Sequence, residues 1–144
     1  MAYEEAIRSI SLKADSTLAT YTGAPGAPGS ADPNGGFQYY FVKVSTTAAT
    51  AELATGATNE AVIGVMQNKP QYTNQAATVA IRGVSKVVAG TGGITAGCQV
   101  KVDTTIDGTG IIATPGTDAA LVVGIALGAA SAGGLFPCLL RLGA

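Results

Sequence analysis

Nine carboxylates are the main candidates for acid–base or metal chemistry in this chain: Glu4, Glu5, Asp15, Asp32, Glu52, Glu60, Asp103, Asp107 and Asp118. The usual general base is missing, because the 144 residues include no histidine. That absence also removes the Ser-His-Asp and Cys-His nucleophile systems and the commonest transition-metal ligand. Asp103 and Asp107 flank a turn and could hold a hard cation such as calcium. A calcium loop offers several acids at alternate positions, however, and here Thr104, Thr105 and Ile106 intervene. Two solvated turn acids are the expectation. Two distant carboxylates could in principle make a glycosidase pair, but nothing marks one, and at 6% aromatic residues the chain lacks the surface that sugar sites use. Cys98 and Cys138 share no metal-ligand spacing and read as small buried apolar residues, with a single disulfide left open. Arg82 and Arg141 close apolar runs, where pairing with an acid or a neighbouring subunit is expected. The 8 basic and 9 acidic residues are spread thinly, so no basic patch is visible and nucleic-acid binding is not expected. The residues point to a chain with no catalytic site, no metal and no cofactor.

Composition says what kind of scaffold carries these residues. Hydrophobic residues make up 47%, but much of that is alanine, so the core must come from Val, Ile and Leu. Twenty glycines with many threonines suit short strands and tight turns. Charged residues are only 12%, about half the usual share, which suggests that much of the surface is buried against partners. Met1-Ala2-Tyr3-Glu4-Glu5 carries acids where a signal peptide would carry bases, so the chain is expected to stay where it is made. The stretch 119–140 is uncharged and long enough to span a bilayer, and it holds a Gly124-x-x-x-Gly128 pair. The small residues at 129–134 and Pro137 interrupt it, so two strands around a turn are expected and no membrane span.

A single β domain over 1–144 is read along the chain: an extended N-terminal arm over 1–14, a flexible Gly/Pro-rich loop over 23–36 and a β core over 37–144. Strands are expected over 37–44, 61–66, 78–88, 100–102, 110–113, 121–127 and 135–142, with 48–60 a loop or short edge element. Asp107-Gly108 and Pro115-Gly116 supply turns. The fold class is all-β, a small barrel or sandwich of short antiparallel strands. One pattern occurs twice: Val62-Ile63-Gly64-Val65 precedes Val79-Ala80-Ile81-Arg82, and Val122-Val123-Gly124-Ile125 precedes Cys138-Leu139-Leu140-Arg141. Gly64, Gly83 and Gly124 are taken as bend or turn glycines, because a glycine within a strand marks a bulge, a bend or a close backbone approach.

The second half also carries an ordered set of motifs: Ile63-Gly64-Val65, Ala77-Thr78-Val79-Ala80-Ile81-Arg82-Gly83-Val84, Gly97-Cys98-Gln99-Val100-Lys101-Val102, Val123-Gly124-Ile125-Ala126-Leu127 and the closing Leu139-Leu140-Arg141-Leu142. Over about residues 61–144 the chain resembles the small capsid decoration, or cement, proteins of tailed bacteriophages. The first 60 residues match only loosely, and their Gly/Pro insertion departs from the pattern. The resemblance implies a homotrimer, made in the host bacterial cytoplasm, that sits on the outer surface of the virion. There it would bridge subunits of the major capsid protein and stabilise the head. It also implies an arm that adds to a capsid strand, which makes Tyr3, Glu4, Glu5, Ile7, Arg8 and Ile10 candidate capsid contacts. The alternative is another β-rich virion component, such as a tail-tube or head-fibre base subunit. A secreted or cell-surface β module is a third reading.

Overall fold

The computed structural model describes residues 8–19 and 37–142. The loop read at 23–36 and the first seven residues lie outside them. The described chain is all-β: nine strands, no α-helix, and one short 3-10 turn over Ala119–Leu121. The strands are β1 (Arg8–Ala14), β2 (Phe41–Val44), β3 (Thr50–Leu53), β4 (Val62–Met66), β5 (Ala76–Val88), β6 (Gln99–Val102), β7 (Gly110–Ile112), β8 (Gly124–Ala126) and β9 (Leu135–Leu140). No helix among them is long and apolar enough to cross a membrane.

Strands one to five form a small closed barrel in the order β1-β3-β2-β4-β5, with β1 returning to β5. Its interior holds Leu18, Val42, Ala51, Met66, Ala77 and Val79. A second sheet runs β5-β9-β8-β6-β7. It curls until a single bridge between Ala89 and Gly110 brings β7 back to the end of β5. Phe136, Cys138, Leu140, Val100 and Val87 fill it. Phe41, Val65 and Ala80 reach into that same core from the outside of the barrel. Strand β4 is therefore buried on both faces, Met66 toward one core and Val65 toward the other. This is why its sequence is apolar without alternation.

The thirteen residues of β5 belong to both sheets. Before Gly83, Ala77 and Val79 face the barrel and Ala80 faces the second core. After it, Ser85 and Val87 are buried beneath the second sheet. A regular strand keeps one parity on one face, so the backbone must turn over between Ala80 and Ser85. The β1–β5 register slips by one residue between Ala80 and Arg82, and Gly83 follows at φ +100°, so the change of face begins before Arg82.

Gly64 and Gly124, read as bends, serve instead as close approaches within strands. A Cβ on Gly64 would meet the Ala80 carbonyl oxygen and Val79. A Cβ on Gly124 would lie 2.7 Å from the Leu139 carbonyl oxygen and 2.5 Å from Cys138 Sγ. In both copies of the sequence pattern, the glycine admits the carbonyl two residues before the arginine. Gly64 also borders an irregularity in the β2–β4 register.

Several expectations are corrected. The extended or strand-like segment read at 1–14 is, over residues 8–14, a strand built into the barrel: Ser9 to Lys13 pair antiparallel with Ala80 to Ala76. Residues 37–40 are a turn, with Tyr39 at φ +70°, Phe37 packed against the barrel core and edge-on to Tyr40 at 5.2 Å. The segment 48–60 contains β3, a central barrel strand. Only Gly124–Ala126 of 121–127 is strand, because Ala119–Leu121 forms the 3-10 turn.

Gly64→Ala and Gly124→Ala are expected to destabilise the fold by about 2–3 kcal/mol through overpacking, and Gly83→Ala by about 2 kcal/mol through backbone strain. Equilibrium unfolding in urea measures all three.

Candidate interaction surface

The carboxylates mostly organise the chain. Lys43 Nζ lies 2.7 Å from Glu60 and 3.3 Å from Glu52. Glu60 also accepts hydrogen bonds from the backbone N–H groups of Thr55 and Gly56, each at 2.8 Å. Burial alone would raise the Glu60 pKa, but the Lys43 ammonium and these donors outweigh it and hold it below the ordinary 4.5. Lys101 sits 2.8 Å from Asp118 and, with the Thr114 N–H, holds that carboxyl low as well.

Asp103 is not the solvated turn acid expected from the sequence. It is 1% exposed, and its two oxygens accept from Thr91 N and Thr105 N at 2.7 Å each. Burial pushes its pKa up, and these donors more than reverse the shift. Asp107, by contrast, is exposed. Among the described residues no group of three or more His, Cys, Asp or Glu side chains could hold a metal. A groove of about 230 Å³ lies between Gly56, Val62, Val102, Leu121 and Leu142. Glu60 is the one carboxylate on its wall, and it is already committed to Lys43. The groove is smaller than ordinary ligand pockets and brings no nucleophile to a base.

Both cysteines are free. Cys138 is fully buried, and burial pushes its thiol up to about 12. Cys98 is half-buried rather than buried.

One apolar surface is the outer face of the second sheet. Along β9, Phe136, Cys138 and Leu140 point inward while Leu135, Pro137 and Leu139 point out. Register sets Val84 beside Leu139 and Leu139 beside Ile125. Lys86 lies beside Pro137, whose carbonyl accepts from Leu127 N at 2.8 Å. Val88 lies beside Leu135. Leu127 is 43% exposed and Leu135 48%. Lys86 is the only charge in these rows, and its ammonium lies 5.9 Å from the centre of the Tyr39 ring. A contiguous apolar sheet face of this kind marks a protein contact more often than a solvated surface.

Of the candidate contacts read from the sequence, Tyr3, Glu4, Glu5 and Ile7 lie outside the described residues. Arg8 and Ile10 are exposed on β1, and one edge of that strand is taken by β5. The outer face is not visible in the sequence because its rows set β5 beside the β8–β9 pair, which lies far along the chain from it. The alternation of β9 was the one local signal. Read from the sequence, Arg82 and Arg141 stand apart from Arg8, although strand pairing gathers all three.

A solved structure from bacteriophage phi29, the N base of the head fibre protein gp8.5, has a similar fold. It superposes with a TM-score of 0.59 at 15% sequence identity, covering 94% of each chain. No protein-family profile matches this sequence, and no curated protein is significantly similar to it. The likeness is one of architecture, and it extends over nearly all of both chains.

Two outcomes are expected. Because the folded pKa of Glu60 is depressed, its stabilisation is complete above about pH 4.5 and is lost as pH falls through the folded value. Glu60→Gln should therefore cost about 2 kcal/mol near neutrality, and its deficit in urea melts should shrink steadily on acidification. A thiol reagent at pH 8 should label one cysteine per native chain, Cys98, and both after denaturation, since Cys138 is then about 0.01% thiolate.

Proposed function

We propose that this chain is a structural subunit of a tailed-phage virion that sits on the outside of the head as the base of a head-borne projection. The observation that carries the reading is the full-length likeness to the phi29 head fibre base. The apolar outer face of the second sheet, the low charge and the commitment of Glu60, Asp103 and Asp118 to internal contacts support a role in packing rather than catalysis. The partner in this reading is the major capsid protein, and self-association into a homotrimer belongs to the proposal. Weak contacts repeated over a symmetric shell then hold through multivalency.

The second reading is capsid decoration. The motif run Val79-Ala80-Ile81-Arg82-Gly83-Val84 favours it, because that run carries the resemblance to decoration proteins. The two readings part on what removal does. Heads lacking a decoration protein lose heat resistance, whereas heads lacking a fibre base keep it and lose their projections.

Purified protein mixed with mature heads, unexpanded proheads and tails should co-sediment with heads and not with tails. Leu127→Asp should weaken head binding roughly tenfold, as expected when a charge replaces an exposed apolar contact. Heads depleted of the protein should keep their disruption temperature. Association with tails, or tubes formed by the protein alone, overturns the head assignment.

A further inference from the structure

Arg8, Arg82 and Arg141 are the chain's only arginines. Although 74 and 59 residues separate them in sequence, strand pairing brings them to neighbouring positions on β1, on β5 and just past the end of β9. Arg8 is the register partner of Arg82 across β1 and β5, just past a one-residue slip in that register. Arg141 follows Leu140, whose register partner is Gly83, the neighbour of Arg82. All three are exposed. Each ion pair among the described residues uses Lys43 or Lys101, so no described carboxylate neutralises this row.

Like charges set directly opposite each other weaken a sheet. A lysine can shed its proton to relieve such crowding, but a guanidinium cannot. Among the described residues the row is therefore unfavourable on its own and becomes favourable when an anion lies across it. The arrangement also has a built-in origin. Arg82 and Arg141 close the two copies of the repeated glycine–arginine pattern, and β5 and β9 are neighbours through Gly83 and Leu140.

We propose that this arginine row binds carboxylates of a partner protein segment whose apolar side chains lie along the outer face of β5, β9 and β8. The row stands at one end of that face, where Val84 and Leu139 are register partners just beyond Arg82 and Arg141. Guanidinium forks bind carboxylates bidentately, and the apolar rows beyond supply burial that a bare anion would not use. Nucleic acid fits less well. Three cations cover few phosphates, the chain's net charge is −1, and the adjoining face presents leucine, valine and proline instead of aromatic platforms. The inference deepens the reading of the chain as a subunit that packs on other virion proteins, and it rests on that reading for the class of partner.

The test is fluorescence anisotropy with three labelled probes: an alternating Glu-Leu peptide, its Gln-Leu counterpart and a short oligothymidylate. At about 50 mM salt the Glu-Leu peptide should bind roughly tenfold tighter than the Gln-Leu peptide, and the preference should collapse near 0.5 M salt. Arg82→Gln should remove the preference, and Lys69→Gln, an exposed lysine elsewhere, should keep it. Without any ligand, Arg82→Gln should raise the thermal midpoint at low salt and leave it unchanged at high salt. Equal affinity for the two peptides, tighter binding of the oligonucleotide, no binding of the Glu-Leu peptide, or an unaltered midpoint at low salt overturns the proposal. The assay contains no phage heads, so its failure is distinguishable from a failure of the protein to co-sediment with heads.

Discussion

Both sheets depend on one shared strand. β5 supplies the wall that closes the barrel against β1 and β4, and its second half is the strand on which β9 lays down the other sheet. Two cores can share a strand only if its faces are reassigned part-way along, and Gly83 at φ +100° lies where that happens. The remaining close fits follow from it. With the barrel wall and the second core pressed together, β4 and β8 must approach their neighbours without side chains at Gly64 and Gly124.

The distribution of charge follows the same economy. With 12% charged residues, most carboxylates with described partners are spent on fastening loops to strands. Glu60 ties the β3–β4 connection to Lys43, Asp118 ties the segment before β8 to Lys101, and Asp103 binds two loop N–H groups. Among the described residues the apolar outer sheet face and the three arginines take no part in these internal contacts.

The all-β class was legible in glycine, threonine and β-branched content, and β5, β6, β7 and β9 were legible from apolar runs bounded by turns. Short strands with few apolar residues were not: β3, Thr50 to Leu53, gains its strand character only from barrel neighbours. The aromatic run at 37–40 misled in the other direction, because its rings pack on the barrel end and on each other, a tertiary demand that overrides β propensity. The repeated glycine–arginine pattern was visible as text, but its meaning, a glycine admitting a carbonyl, needed three dimensions. The interaction surface was the least legible part, since neither the register of residue 8 with 82 nor that of 140 with 83 has any trace in local sequence.

The order of strands along β5 carries a consequence for how the molecule is born. The barrel half of β5 finds its partners among residues already synthesised, whereas the second half pairs with β9, a strand made more than forty residues later. The barrel can close while the chain is still growing. The second core must wait, with Val87 and the apolar edge of β5 uncovered until residue 140 has emerged. Such a late, long-range closure is slow because its loop entropy is lost before any contact repays it. The half-built sheet is thus the species most prone to stick to its own copies during synthesis.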